Sequence, residues 1–164
     1  MSERLRQQLG ALLERYDAAQ RAAESHLRKV KSDDALFLTQ FDALRRDVVR
    51  PIFEAAGALL QARGHGFRIV EEQFCGQSGG KAVEAAIELH VAPAGMAPLS
   101  EPHDQLRALS FATRHYNKAV CIRNGAAPHE GTLAGAKGTF PLQKIDAQLV
   151  EDEVLKLIAS MVTA

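Results

Sequence analysis

The stretch VEAAIELHV, residues 83–91, decides the fold class of this chain. Its odd positions are all apolar, namely Val83, Ala85, Ile87, Leu89 and Val91. Three of its four even positions are polar, namely Glu84, Glu88 and His90. A period of two is typical of a strand with one face on the core and the other toward water. The stretch therefore predicts a half-buried strand of an antiparallel sheet.

Shorter segments with strand character lie on both sides of this stretch. The predicted strands are residues 67–74, 83–91, 109–113 and 140–143, together with a return strand that begins with Val120 and Ile122. Residues 76–80 are glycine-rich and predict a hairpin loop, and Tyr116-Asn117-Lys118 predicts a turn. Residues 93–105 form a longer connection, and the glycine-rich residues 124–138 predict a mobile loop. Connections of this kind favour an antiparallel sheet of four to five strands.

Helical periods precede and follow the predicted sheet. Ser32-Asp33-Asp34 is a cluster of N-cap residues and predicts the start of a second helix, whose apolar positions fall within residues 37–59. Pro51 predicts either a kink in that helix or a break with Pro51 as the first residue of a new one. Gly64-His65-Gly66 predicts its end, and Asp146 predicts the N-cap of a closing helix. The order predicts an α+β fold with helices covering one face of the sheet.

The N-terminal segment carries a heptad seam, in which apolar positions recur in steps of four and three residues. The predicted oligomerisation residues are Leu5, Leu9, Leu12, Tyr16, Ala19, Ala23, His26 and Val30. An isolated helix of this length is only marginally stable in water, so the seam must bury against another copy, the second helix or another protein. We therefore predict a coiled-coil-like helix over residues 1–32 and a single globular α+β domain over residues 33–164.

His26 is the polar residue of the seam, at a d position. Under one interpretation it lies at an exposed, frayed end, where Leu27 packs in its place. Under the other it selects the register of the coiled coil and makes assembly pH-dependent near the imidazole pKa of roughly 6.5.

Composition narrows the class of protein. Among 164 residues, 46 % are hydrophobic and 24 % are charged, which is average for a globular domain. Twenty basic residues balance twenty acidic ones, which argues against binding to nucleic acid or an anionic membrane. Cys75 and Cys121 cannot form a disulfide framework, which indicates a reducing compartment. The N-terminus lacks a signal peptide and no apolar run is long enough to span a membrane, so we predict a cytoplasmic protein.

The sequence lacks a complete motif for catalysis or cofactor binding. Residues 76–81 resemble a phosphate-binding loop, but their spacing is short and Ala82 replaces the hydroxyl residue. The six histidines lack metal-ligand spacing, although Glu88 and His90 share a strand face with Glu84 further along. We predict no metal and no cofactor.

Three arginines and the two cysteines could have a functional role or a purely structural one. Arg45, Arg46 and Arg50 could converge on an acidic ligand, but acidic residues interleave with them and favour a solvated helix face. Either cysteine could act as a nucleophile if a histidine lay beside it in space.

The favoured function is a non-catalytic, homo-oligomeric protein-interaction module of adaptor or chaperone-like type. Its partner is itself, as a dimer or a higher oligomer, or another protein that binds the first helix. The alternative is a small-ligand-binding protein or enzyme with a pocket between the sheet and the helices. The candidate residues for that pocket are His65, His90, His115 and Cys121.

Overall fold

A computed structural model of the chain describes residues 2–76, 82–95, 107–126 and 136–163. The chain divides into two compact units, Met1–Leu36 and Phe37–Ala164. The first unit is helical from Glu3 onward, and the second contains a sheet and the remaining helical segments. The predicted α+β fold is confirmed.

The first helix, α1, spans Glu3–Leu44 without interruption. The new helix start predicted at residues 32–34 is therefore wrong. Ser and Asp inside a helix cost up to about 0.7 kcal/mol each relative to Ala. A break would instead remove intrahelical partners from up to four N–H and four C=O groups at the new ends. Continuing the helix is therefore more favourable than ending it at these capping residues.

The interruption predicted at Pro51 takes the form of a π-helical turn, Arg45–Val49, which leads into the second helix, α2, Arg50–Ala62. Proline has no N–H, and its ring crowds the carbonyl group four residues earlier. The backbone N–H of Arg50 donates to the carbonyl oxygen of Arg45, five residues back, so the turn widens just before Pro51. Pro51 lies in the first turn of α2, where a missing N–H is tolerated.

The end of α2 is a Schellman motif with Gly64 in the left-handed conformation, at φ 85°. The N–H of His65 donates to the Leu60 carbonyl at 3.0 Å, and the N–H of Gly64 donates to the Gln61 carbonyl at 3.0 Å. The predicted helix end is confirmed, and it turns the chain into the first strand.

Five strands of the described residues form one sheet, in which chain order is also spatial order and every neighbouring pair is antiparallel. They are β1 Gly66–Glu72, β2 Ala86–Ala92, β3 Arg107–Arg114, β4 Ala119–Ala126 and β5 Ala136–Pro141. The predicted turn after β3 is confirmed, with Lys118 at φ 53°. The central part of the hairpin loop predicted before β2 lies in residues 77–81, outside the described ranges, as do residues 96–106.

The last strand begins earlier than predicted. Residues 136–141 form β5, and residues 142–144 form a 3-10 turn rather than the end of a strand. The predicted loop over residues 124–138 is also too long, because its first three residues belong to β4 and its last three to β5. The register shifts between Ile122 and Arg123, and Gly138 has φ 115°, so the alternation that marks a strand is lost there. Residues 127–135 lie outside the described ranges.

The ladder between β1 and β2 is interrupted at its far end. Regular pairing stops at Glu72 and Ala86, and an isolated bridge joins Cys75 to Val83. The backbone N–H of Ala85 instead donates to the side-chain oxygen of Thr113 on β3 at 3.0 Å. Glu84 therefore lies before the regular strand and does not follow the alternation predicted for residues 83–91.

The core lies between one face of the sheet and the helices of the second unit. Its fully buried large side chains are Phe41, Phe53, Phe111, Ile87, Leu89, Leu109, Ile122, Leu157, Val49, Val91, Val120 and Val150. The third helix, α3, spans Ala147–Val162, and the Asp146 side chain accepts the Leu149 N–H at 2.9 Å, as predicted. The two helices and the sheet therefore form the layered packing typical of an α+β domain.

Candidate functional site

The N-terminal unit exposes its apolar seam. All eight residues predicted for oligomerisation are exposed, and Leu5, Leu9, Leu12 and Tyr16 are 44–61 % accessible. Two leucines beside the seam, Leu13 and Leu27, are also exposed, although the heptad pattern did not include them. They widen the apolar surface, and their spacing from the seam residues was the signal that could have found them.

A buried arginine closes the interruption of the β1–β2 ladder. The side chain of Arg45 is 5 % exposed and donates to the carbonyl oxygens of Glu72 at 2.8 Å and Ala86 at 3.1 Å. Its other terminal nitrogen donates to Gln73 Oε1 at 3.0 Å and to Asp42. The guanidinium group thus satisfies the carbonyl groups that end the ladder, which is a structural role.

Arg45, Arg46 and Arg50 do not converge on a free anion site, and the solvated helix face predicted for them is wrong for Arg45, which is buried. Arg46 pairs with Asp47 at 2.9 Å, and Arg50 pairs with Glu54 at 2.9 Å and with Glu71 at 3.2 Å. Each guanidinium group therefore already has a carboxylate partner within its own unit.

A polar cluster lies where β3 ends. The carboxylate of Glu84 accepts the hydroxyl of Thr113 at 2.7 Å, the N–H of His115 at 3.2 Å, and contacts His115 Nδ1. The ring of Phe74 packs edge-on against His115, with centroids 5.1 Å apart. Thr113 is fully buried. The carboxylate therefore orients the imidazole and caps the β3–β4 turn.

The face of the sheet opposite the core carries a second histidine–carboxylate pair. His90 Nε2 lies 3.0 Å from Glu88 Oε2, and Ser110 is the cross-strand neighbour of Glu88. The hydrogen bond from His90 lowers the pKa of Glu88, outweighing the opposing effect of burial, and a hydrogen bond from Ser110 adds to it. Glu84 does not join this pair because the strand is irregular there. No group of three potential metal ligands occurs among the residues that the structure describes.

The four residues proposed to line a pocket lie in different places. His65 follows α2, where its Nδ1 accepts the N–H of Ala94 at 2.9 Å. His90 is on β2, and His115 is in the turn after β3. Cys121 is buried on β4, where the Arg114 side chain donates to its sulfur at 3.8 Å. This hydrogen bond raises the pKa of Arg114. Each has its own partners, and the pocket between sheet and helices stays a prediction.

An apolar groove runs between α2 and α3 on the surface of the second unit. Two adjoining cavities of about 310 and 410 Å³ follow it, and they share Ala56, Leu59, Val154 and Leu155. Leu59 is 73 % exposed, Leu155 is 66 % exposed and Val162 is 58 % exposed. Leu59 is the last of the apolar positions predicted for the second helix, but the buried residues of α2 are Phe53, Gly57 and Leu60.

Comparison with known proteins offers no relative from which to transfer a function. No protein-family model matches the sequence, and no significant match is found among curated proteins or among solved structures. Within the described ranges, none of the helices has the length and apolar character needed to cross a membrane. The exposed helix seam and the α2–α3 groove are therefore the surfaces on which a function can be argued.

Proposed function

We propose that this protein is a non-catalytic, homo-oligomeric protein-interaction module of adaptor or chaperone-like type that assembles through its N-terminal helix. The observation that supports the proposal is the exposure of the seam. None of the residues described in the first unit is buried, although large apolar side chains recur along one stripe of the helix. A continuous apolar stripe of this kind on a helix is typical of a protein-binding surface.

The apolar area at the seam gives a free-energy gain comparable with the cost of association. Leu5, Leu9, Leu12, Leu13 and Tyr16 are each at least 44 % exposed. Burying the exposed part of such a side chain contributes about 1 kcal/mol, so a symmetric pair of helices gains about 10 kcal/mol before costs. The loss of translational and rotational freedom offsets about 4–15 kcal/mol. A reversible oligomer is the expected result.

The distribution of residue size along the seam indicates where this contact is strongest. Leu5, Leu9, Leu12 and Tyr16 fill its first half, while Ala19, Ala23 and His26 occupy most of the second. Small side chains permit close approach of two helices but remove little apolar area from water. The first half therefore supplies most of the free energy of association.

The test replaces Leu5, Leu9, Leu12 and Tyr16 together with Ala in the full chain. Because these side chains supply most of the apolar area, sedimentation velocity should show a lower oligomer state than for the wild-type chain, with the circular dichroism of the sheet unchanged. The matched control replaces Glu14, Asp17 and Arg21, which lie on the same helix but off the seam, with Ala. This control should sediment like the wild type.

Two results would contradict the proposal. A wild-type chain that is monomeric at every accessible concentration would mean that another protein covers the seam. Loss of the folded sheet in the seam variant would mean that the helix is part of the core.

A further inference from the structure

A second exposed apolar surface of the chain, distinct from the helix seam, is the α2–α3 groove. Its apolar floor and rim come from residues of the second unit alone, with Leu59 and Leu155 at its centre and Val162 near one end. The core beneath is already filled, since Phe53, Val154 and Leu157 are buried. The exposed parts of Leu59 and Leu155 are therefore available to a partner.

The two helices run in the same direction along the groove. Ile52 and Ala55 lie with Glu151 at one end, and Arg63 lies with Val162 at the other. The groove is therefore acidic at one end and basic at the other, with an apolar middle. Glu151 and Arg63 are both exposed, and neither has an ion pair with any residue in the described part of the chain.

This arrangement of charge is complementary to itself. We propose that the groove binds the same groove of a second copy of this chain, about a two-fold axis that crosses it at Leu59 and Leu155. Rotation about such an axis reverses the helices, so the Arg63 end of each copy lies over the Glu151 end of the other. The apolar centres meet, and opposite charges meet at both rims. A two-fold contact forms this charge pair twice.

This contact goes beyond the proposed function, because the seam belongs to residues 2–36 and the groove to α2 and α3. Two independent self-association surfaces on one chain would build an assembly larger than either alone forms. The groove contact is rich in aliphatic side chains and lacks aromatic anchors, so its affinity depends on correct charge register as well as on area.

The test exchanges the two charges in the full chain. Arg63→Glu places a carboxylate over Glu151 of the second copy, and Glu151→Arg places a guanidinium over its Arg63. Each single variant should weaken association by about tenfold, because attraction becomes repulsion at both rims of the contact. The double variant restores opposite charges and should return to within about threefold of the wild type. Sedimentation equilibrium measures all four proteins.

Controls separate this contact from the helix seam and from misfolding. All four proteins are also measured in the background with Ala at Leu5, Leu9, Leu12 and Tyr16, where association through the seam is weakened. Leu155→Glu should abolish groove association, and its exposure predicts an unchanged fold by circular dichroism. Single variants that associate like the wild type, or a double variant as weak as the singles, overturn the groove contact. Association that depends on the seam but not on Arg63 and Glu151 overturns the groove contact and leaves the proposed function standing.

Discussion

Replacing Arg45 with Met should destabilise the second unit more than any other single charge removal on its helices. Met has a similar length and fills the space, but it donates to none of the four oxygens that the guanidinium group binds. Two of these, the carbonyl oxygens of Glu72 and Ala86, end the β1–β2 ladder. The contact to Ala86 is buried and the contact to Glu72 is partly buried, and an unpaired buried carbonyl costs about 1–3 kcal/mol. Asp42 is half exposed and regains water, so its contribution is smaller. We expect a loss of about 3–5 kcal/mol in the free energy of unfolding.

Urea denaturation followed by circular dichroism measures this difference, and thermal melting provides a second estimate. A domain of this size loses about 3 °C in Tm for each kcal/mol, so Arg45→Met should melt about 10–15 °C below the wild type. Arg46→Met is the matched control, because its side chain is 72 % exposed and its pair with Asp47 contributes little. If the two variants differ by less than about 1 kcal/mol, Arg45 does not hold the strand ends and the argument fails.

Two smaller perturbations test the packing and the sheet electrostatics. Gly57→Ala should destabilise the second unit by about 1–3 kcal/mol, since the new methyl group would lie 2.3 Å from the Phe67 ring. Gly10→Ala is the control, because its methyl group meets nothing within 4 Å and should stabilise its helix by up to about 1 kcal/mol. Similar denaturation curves for the two variants would refute the close contact. His90→Leu removes the hydrogen bond to Glu88 and should raise the pKa of Glu88 toward its usual value, as followed by NMR titration of the carboxyl carbon. Because Glu88 has a lowered pKa in the folded state, the stability it contributes is present above its unfolded pKa and is lost as the pH falls through the folded pKa. An unchanged Glu88 titration in His90→Leu would show that His90 is not the cause.

The predictable part of the fold is the part where one physical rule governs a segment. Ile87, Leu89 and Val91 alternate because β2 has the core on one face, and that is visible without a structure. Asp146 caps α3 through a bond to Leu149, three residues away, so its signal is also local. Both predictions are confirmed for that reason.

The unpredictable part depends on contacts between distant residues. Arg45 is buried because it reaches Glu72 and Ala86, 27 and 41 residues away, and nothing in its own neighbourhood marks it. Glu84 leaves the strand alternation because Thr113 and His115 bind it across the sheet. The α2–α3 groove could not be predicted either, because an apolar stripe on a helix does not indicate which of its leucines another helix covers.

The π-helical turn before Pro51 makes the number of residues in this segment as important as their identity. A turn of this kind holds one more residue than an α-helical turn, and each residue rotates the helix by about 100°. Removing any one of residues 45–49 would rotate the preceding helix and swing Phe37 and Phe41, both buried, away from the face that now packs on the core. Single-residue deletions here are therefore harmful even where substitutions are tolerated.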